Sequence, residues 1–158
     1  MTSPALADAL QETIDYVAIS RLQSAYADVV NRRTWTELAD LFLPDAPVRV
    51  DTVTNPVVDL AGPGALGEFI GGAIARFEFF EFVILNTRVD IAGDAARGRV
   101  FMCELRQDAG SGRFTRAFGV YHDDYRRVDG RWWFAARRYQ SLARSGRGEV
   151  FRFPEEMR

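Results

Sequence analysis

From Phe79 onward the chain is a succession of long alternating runs joined by very short polar turns, and this leaves few folds open. The runs "FFEFVILNTRVDIA", "RGRVFMCELRQ", "FTRAFGVYHDDYRRV" and "RWWFAARRYQSL" are separated by Gly93-Asp94, by "GSG" and by Asp129-Gly130. Turns this tight connect neighbouring antiparallel strands, so the second half of the chain is expected to be an antiparallel meander.

The first half has a different period. Ile14, Val17, Ala18, Leu22, Ala25, Tyr26 and Val29 fall at the spacing of three and four that marks one buried helical stripe, which turns Tyr26 inward. Thr34 and Glu37 have the spacing of a capping box, starting a shorter helix with Trp35, Leu38, Leu41 and Phe42 that Pro44 stops. "PVRVDTV" alternates as a half-buried strand with Val48, Val50 and Thr52 on one face. "TNPVVDLAGPG" reads as loop, and "GALGEFIGGAIARF" as a third helix. Helices followed by a long-stranded sheet give an α+β layout in which three N-terminal helices cover one sheet face. At 158 residues and 47% apolar content the chain suits a single domain, residues 1–158, with its own core.

Composition narrows the function classes. A formal charge of -2 without like-charge runs lacks the footprint of a nucleic-acid binder. No apolar run reaches membrane-spanning length, and "MTSPALADALQETID" does not read as a leader, so a soluble, cytoplasmic protein is expected. All 20 basic residues are arginine, which suggests a GC-rich bacterial genome. Cys103 and His122 are the sole cysteine and histidine, too few for a thiolate–imidazole zinc site. "AGPGALGEFIGG" lacks the lysine and hydroxyl of a phosphate loop, and Ser20, Ser24 and Ser141 have no motif that supplies a base. No metal and no cofactor are expected.

Asp129-Gly130 is the preferred pair for a type I′ turn, which sets Val128 opposite Arg131 and fixes the register of the last hairpin. Strict alternation then groups Tyr121, Asp123, Tyr125 and Arg127 with Trp132, Phe134, Ala136 and Arg138 on the aromatic, inward face. His122 points outward, and Asp123 becomes the buried acid, with Arg138 on its diagonal. Burial raises the pKa of such a carboxyl and the guanidinium lowers it, so the group is either a general acid–base or half of a structural ion pair.

The segments "YADVVNRRTWTELADLFLPDAPVRVD", "NTRVDIAGDAARGRV" and "YRRVDGRWWFAARRY" resemble the SnoaL-like group of the nuclear transport factor 2-like superfamily, which includes polyketide cyclases, ketosteroid isomerase and scytalone dehydratase. The resemblance implies a cone, a curved antiparallel sheet wrapped with the long helix around an apolar cavity, and a homodimer packed through the outer sheet face. It matches Tyr26 to the isomerase's pocket tyrosine and Asp123, one residue offset, to its protonated aspartate. Together they could form an oxyanion hole. The position of the isomerase's base falls at or beside Val50, and Asp51 next to it points to the other face unless a bulge intervenes. The dehydratase's two histidines fall at Phe82 and Arg106, and its helix-end aspartate at Asn31.

What remains for proton transfer is Glu104 beside Arg106, two apart on one strand face with Met102, an arrangement like that of limonene epoxide hydrolase. The opposite face, Phe101, Cys103 and Leu105, is more apolar and competes for the interior. The reading that follows is a small-molecule enzyme performing cofactor-free proton transfer on a polycyclic, polyketide-like or steroid-like carbonyl compound, by isomerisation, cyclisation or dehydration. Tyr26, Asp123 and Glu104 are its candidate catalytic residues. Asn31, Val50, Thr52, Phe82, Met102, Arg106, Tyr121, Trp132, Phe134 and Arg138 are its candidate substrate contacts. The alternatives are a binding or dimerisation module that has lost the base, and an epoxide hydrolase.

Overall fold

The computed structural model describes residues 3–145 and 149–150. It opens with helix α1, Pro4–Arg32, which has proline in its first turn, where no amide donor is needed. It ends at Arg33, whose left-handed backbone (φ 59°) lets its N–H close on the carbonyls of Val29 and Val30. The buried stripe runs through Asp15, Ile19, Leu22, Gln23, Tyr26, Val29 and Val30. Tyr26 is inward as expected, but Ile14 and Val17 face solvent. The helix is rotated relative to the apolar pattern because Asp15 and Gln23, polar in sequence, find partners inside. Trp132 Nε1 donates to Asp15 at 2.9 Å and Gln23 Nε2 donates to Asp123 at 3.2 Å.

The next element is a 3-10 helix, Trp35–Asp40, and Thr34 makes no side-chain capping bond. Glu37 instead accepts both terminal nitrogens of Arg32, at 3.0 and 2.6 Å, so the capping box is not used. Strand β1, Pro47–Asp51, buries Val48 and Val50 and exposes Arg49, as its alternation requires. The segment expected to be loop contains a short strand β2, Val58–Ala61, paired antiparallel with β1. Helix α2, Gly62–Ile74, begins where a Cβ at Gly62 (φ 79°) would collide with the Pro44 carbonyl.

The meander follows as β3 Phe77–Ala92, β4 Ala95–Asp108, β5 Phe114–Val128 and β6 Arg131–Arg144, each antiparallel to the next. A two-residue strand β7, Glu149–Val150, pairs with β6. The sheet order is β2-β1-β6-β5-β4-β3, and β1 lies parallel to β6. The sheet is therefore mixed rather than purely antiparallel. The meander's short turns dictate its own directions, but β1 and β6 are separated by the whole meander and no turn constrains them.

The last turn is as read: Asp129 (φ 51°) and Gly130 (φ 77°) are both left-handed and Val128 pairs with Arg131. Five residues later the alternation breaks. Tyr125 pairs with Phe134, but Asp124 pairs with Ala136, and Ala135 intervenes as a bulge. Further irregularities fall between Ile84 and Asn86 on β3 and between Phe118 and Gly119 on β5. Such irregularities bend a strand and increase its twist, which suits a sheet curving around a helix. The sheet stays open as it curves, and α1 packs on its inner face. There Tyr26 meets Phe42, Phe82, Tyr121 and Phe134 edge-on, at centroid separations from 5.6 to 6.2 Å. Among the described residues no helix is long and apolar enough to cross a membrane.

Candidate functional site

The sheet, α1 and α2 leave a cavity of about 160 Å³ between them. Its apolar wall includes Val50, Leu66, Phe69, Ile74, Phe80 and Phe82. Its polar groups come from three strands, Glu104 and Arg106 on β4, Tyr121 on β5, and Arg137, Tyr139 and Arg144 on β6, with Tyr26 from the helix and Thr52 just past β1. Among the described residues that line it, Glu104 is the only carboxylic acid. No group of three or more His, Cys, Asp or Glu among the described residues is placed to hold a metal ion.

Arg137 owes its place to the bulge. Without it Arg137 would point outward; with it, Arg137 sits opposite Asp123 and joins it on the inner face. Its Nε donates to Asp123 Oδ1 at 2.7 Å and its Nη2 to Oδ2 at 2.8 Å, a bidentate pair. Tyr125 Oη donates to the same Oδ2 at 2.9 Å, and Gln23 bonds both Tyr125 and Asp123. The guanidinium is packed among aromatic rings, 4.1 Å from the centroids of Tyr26 and Tyr121 and 4.3 Å from Phe134. Its third nitrogen, Nη1, is buried and makes no hydrogen bond. A buried guanidinium N–H without an acceptor is costly, and Arg137 is among the residues that line the cavity.

Burial raises the pKa of the Tyr26 phenol, with the Arg137 charge partly opposing. Burial likewise raises Tyr121 well above its ordinary value, and the neighbouring Tyr26 adds to the effect. Tyr139 is pushed up to about 12, by burial first and then by the Glu104 charge. All three phenols are therefore protonated donors at neutral pH.

Glu104 shows the opposite balance to a surface acid. Its side chain keeps 22% exposure, and Arg106 Nη1 lies 3.5 Å from its Oε2. Desolvation nevertheless raises its pKa above the ordinary 4.5, with Arg106 and Arg144 opposing. The face of β4 left open by the sequence is thus settled in favour of Glu104 and Arg106. Cys103 lies on the opposite face, where burial pushes its thiol up.

Several expected contacts do not reach the cavity. Asp123 is sealed behind Arg137, with its side chain at 0% exposure. Arg138 lies on the outer face with His122, because the bulge gives its inward position to Arg137. Asn31 turns away to clamp β3, accepting from Phe82 N at 2.6 Å and donating to Phe82 O at 3.1 Å. Met102, Trp132 and Phe134 are buried core side chains that do not line the cavity. Val50, Thr52, Phe82, Tyr121, Arg106, Tyr26 and Glu104 do line it. Sequence reasoning missed Arg137, Tyr139 and Arg144. A signal was present: Trp132, Phe134 and Tyr139 are all large and apolar-bodied, yet no single parity buries all three, which calls for a bulge between Phe134 and Tyr139.

A helix-wrapped open sheet around a polar-tipped apolar cavity defines the cystatin-like α+β class. A protein from Novosphingobium aromaticivorans described as NTF2-like with a cystatin-like fold superposes with TM-score 0.73, at 21% identity over 90% of this chain and 92% of its own. The LinA-type3 hexachlorocyclohexane dehydrochlorinase of Novosphingobium barchaimii superposes with TM-score 0.77, at 21% identity over 92% of this chain and 99% of its own. The family model for the SnoaL-like domain matches residues 11–138, and the chain belongs to that family. No curated protein matches the sequence.

Proposed function

We propose that the protein is a small-molecule enzyme that abstracts a proton from carbon next to a carbonyl group, with Glu104 as the base. The observation that carries this reading is the position of Glu104, the only acid among the described cavity-lining residues, desolvated and held beside Arg106. A carboxyl raised by burial is matched to proton transfer nearer neutral pH than a surface glutamate. The carbonyl oxygen would accept from Arg137 Nη1, with the Tyr26 and Tyr121 phenols as further donors to the developing enolate. Asp123 contributes by fixing Arg137 and not by donating a proton. The enolate then collapses by reprotonation elsewhere, by ring closure or by expulsion of a leaving group, giving isomerisation, cyclisation or elimination. The dehydrochlorinase among the similar structures is an eliminating enzyme by its name, which is compatible with this step.

A volume near that of the engineered apolar cavities that take up benzene favours a substrate with about one ring in the cavity over a polycyclic one. The test is solvent-deuterium incorporation next to the carbonyl in a panel of cyclic ketones and enones, read by mass spectrometry. Wild type is expected to accelerate exchange on at least one compound, and Glu104→Gln to lose about 100-fold or more of that rate. Exchange that survives in Glu104→Gln would remove the glutamate from this role.

A second reading, a ligand-binding module without turnover, is favoured by Phe82 and Val50, apolar wall residues at the positions where the family resemblance places a base. Tight binding of panel compounds with no exchange and no conversion would support it.

A further inference from the structure

Beside the cavity a second depression is lined by Arg76, Arg106, Arg113 and Arg144, together with Thr54, Asn55, Thr115 and Ser145. Arg106 and Arg144 line both this groove and the cavity, so the two are adjacent. The four guanidiniums come from separate parts of the chain: the α2–β3 junction, the end of β4, the β4–β5 turn and the end of β6. They are held together by the fold. Ala109 N donates to the Arg76 carbonyl at 3.1 Å, tying the β4–β5 turn to the α2–β3 junction. Arg144 donates to Thr54 Oγ1 and to the Thr52 carbonyl, each at 2.9 Å, which fixes it against the β1–β2 connection.

Like charges gathered in this way repel unless something answers them. Among the described side chains two carboxylates are near: Glu104, beside Arg106, and Asp108, close enough to Arg76 to be lowered in pKa by it after its larger bonds to Ser111. Asp108 is already committed to its own turn, accepting from Gly110 N and from Ser111 N and Oγ. Arg76 packs over the Phe77 ring at 4.9 Å, and Arg113 forms no ion pair with a described carboxylate. Arg106 Nε is also buried without an acceptor. Among the described residues, Arg76, Arg106 and Arg113 therefore bring more convergent donors and positive charge to this groove beside the apolar cavity than Glu104 and Asp108 answer.

We propose that this groove is the headgroup site of the cavity's own ligand, so that the molecule bound is an anion: about one ring inside and a carboxylate or phosphate outside. The proposal rests on the cavity's being a ligand site, and it narrows the substrate class from neutral carbonyl compounds to acidic ones. Planar guanidiniums bind both oxyanions through paired N–H donors, which is why the two headgroups share one chemistry.

The test compares three probes that share a phenyl ring and differ at the outer end: 3-phenylpropanoate, 2-phenylethyl phosphate and the neutral 3-phenylpropanamide. Binding is measured by calorimetry at low and high salt, with wild type and with Arg76→Gln/Arg113→Gln, two residues outside the cavity. At least one anion is expected to bind wild type tenfold or more tighter than the amide, with the advantage shrinking as salt rises. The double variant is expected to bring that ratio to about one while leaving amide affinity unchanged. The tighter of the two anions identifies the headgroup. Equal binding of anions and amide, a ratio retained in the double variant, or binding of none of the probes would overturn the proposal. Anion preference without deuterium exchange would leave the groove standing and count against the catalytic reading; exchange on neutral ketones without anion preference would do the reverse.

Discussion

Arg137 and Asp123 form a bidentate ion pair with both side chains at 1% exposure or less. This pair determines what mutagenesis of the site can mean. Removing one charge strands the other in a low-dielectric interior, which costs about 3–5 kcal/mol, whereas replacing both with apolar residues of similar size is often neutral or better. Asp123→Asn is therefore expected to lower stability by that amount in urea denaturation, and Asp123→Leu/Arg137→Met to recover most of it. If Asp123→Asn unfolds with wild-type midpoint and slope, the pair is not a structural anchor.

The same pair shows where the sequence was legible and where it was not. Asp129-Gly130 located the hairpin turn and its register because turn chemistry is local. Asp123 was correctly placed inside, in the second pair beyond the hairpin's first irregularity. Its partner was assigned as Arg138 because a bulge at Ala135 is invisible to strict alternation and flips every side chain beyond it. Tyr26 was found from helical spacing, yet the helix's actual inner face carries Asp15 and Gln23, whose burial depends on strands more than 90 residues away. The parallel joining of β1 to β6 is equally non-local and had no counterpart in any turn.

The base role of Glu104 has a pH signature. Its ionised form is the reactive one and its pKa is raised above 4.5, so the exchange rate should rise with pH through a midpoint above that value and level off. Stability should run the other way. A carboxyl that titrates higher in the folded chain than in the unfolded favours folding when protonated, so its contribution is full below 4.5 and lost as pH rises through its own higher pKa. Glu104→Gln should abolish the rise in rate and remove this contribution to stability, which rate profiles and denaturant midpoints across roughly pH 5 to 8, where protein stability is usually greatest, would show.

Asp15 gives the opposite slope at the acid end. Burial raises it, but the bonds from Trp132 and Gln11 and the charge of Arg127 outweigh burial and hold it below 3.8. Its contribution is therefore present above 3.8 and lost as pH falls through its lowered pKa. Asp15→Asn should remove that contribution at neutral pH and flatten the acid limb of stability, read as the denaturation midpoint against pH. An unchanged acid limb would mean that the Asp15–Arg127 contact at 2.7 Å is not formed in solution.

Gly119 makes room for a cavity wall. It lies on the inner face of β5 beside Tyr139, and a Cβ there would meet the tyrosine ring. Gly119→Ala must push Tyr139 out of its place, where its hydroxyl bonds Ser141 at 3.1 Å. Overpacking of this kind costs about 1–3 kcal/mol. The variant should also weaken binding of any cavity ligand, since Tyr139 lines it. Thermal denaturation and calorimetry on one preparation would check both, and Tyr139→Phe, which keeps the ring and loses the hydroxyl, should leave packing intact.

The outer face carries the last prediction. Phe79 and Phe114 stack there at 6.0 Å while remaining 42% and 53% exposed, and Phe118 continues the strip four residues further along β5. Large exposed aromatic side chains grouped on one sheet face, here with Arg116 between Phe114 and Phe118, suit an interface. The homodimer expected through this face should therefore give a dimer's mass by light scattering. Phe114→Arg, exposed and outside the core, should yield a folded monomer with an unchanged circular dichroism spectrum. A wild-type protein that runs as a monomer at high micromolar concentration would rule out the dimer, and a dimer unaffected by Phe114→Arg would place its interface elsewhere.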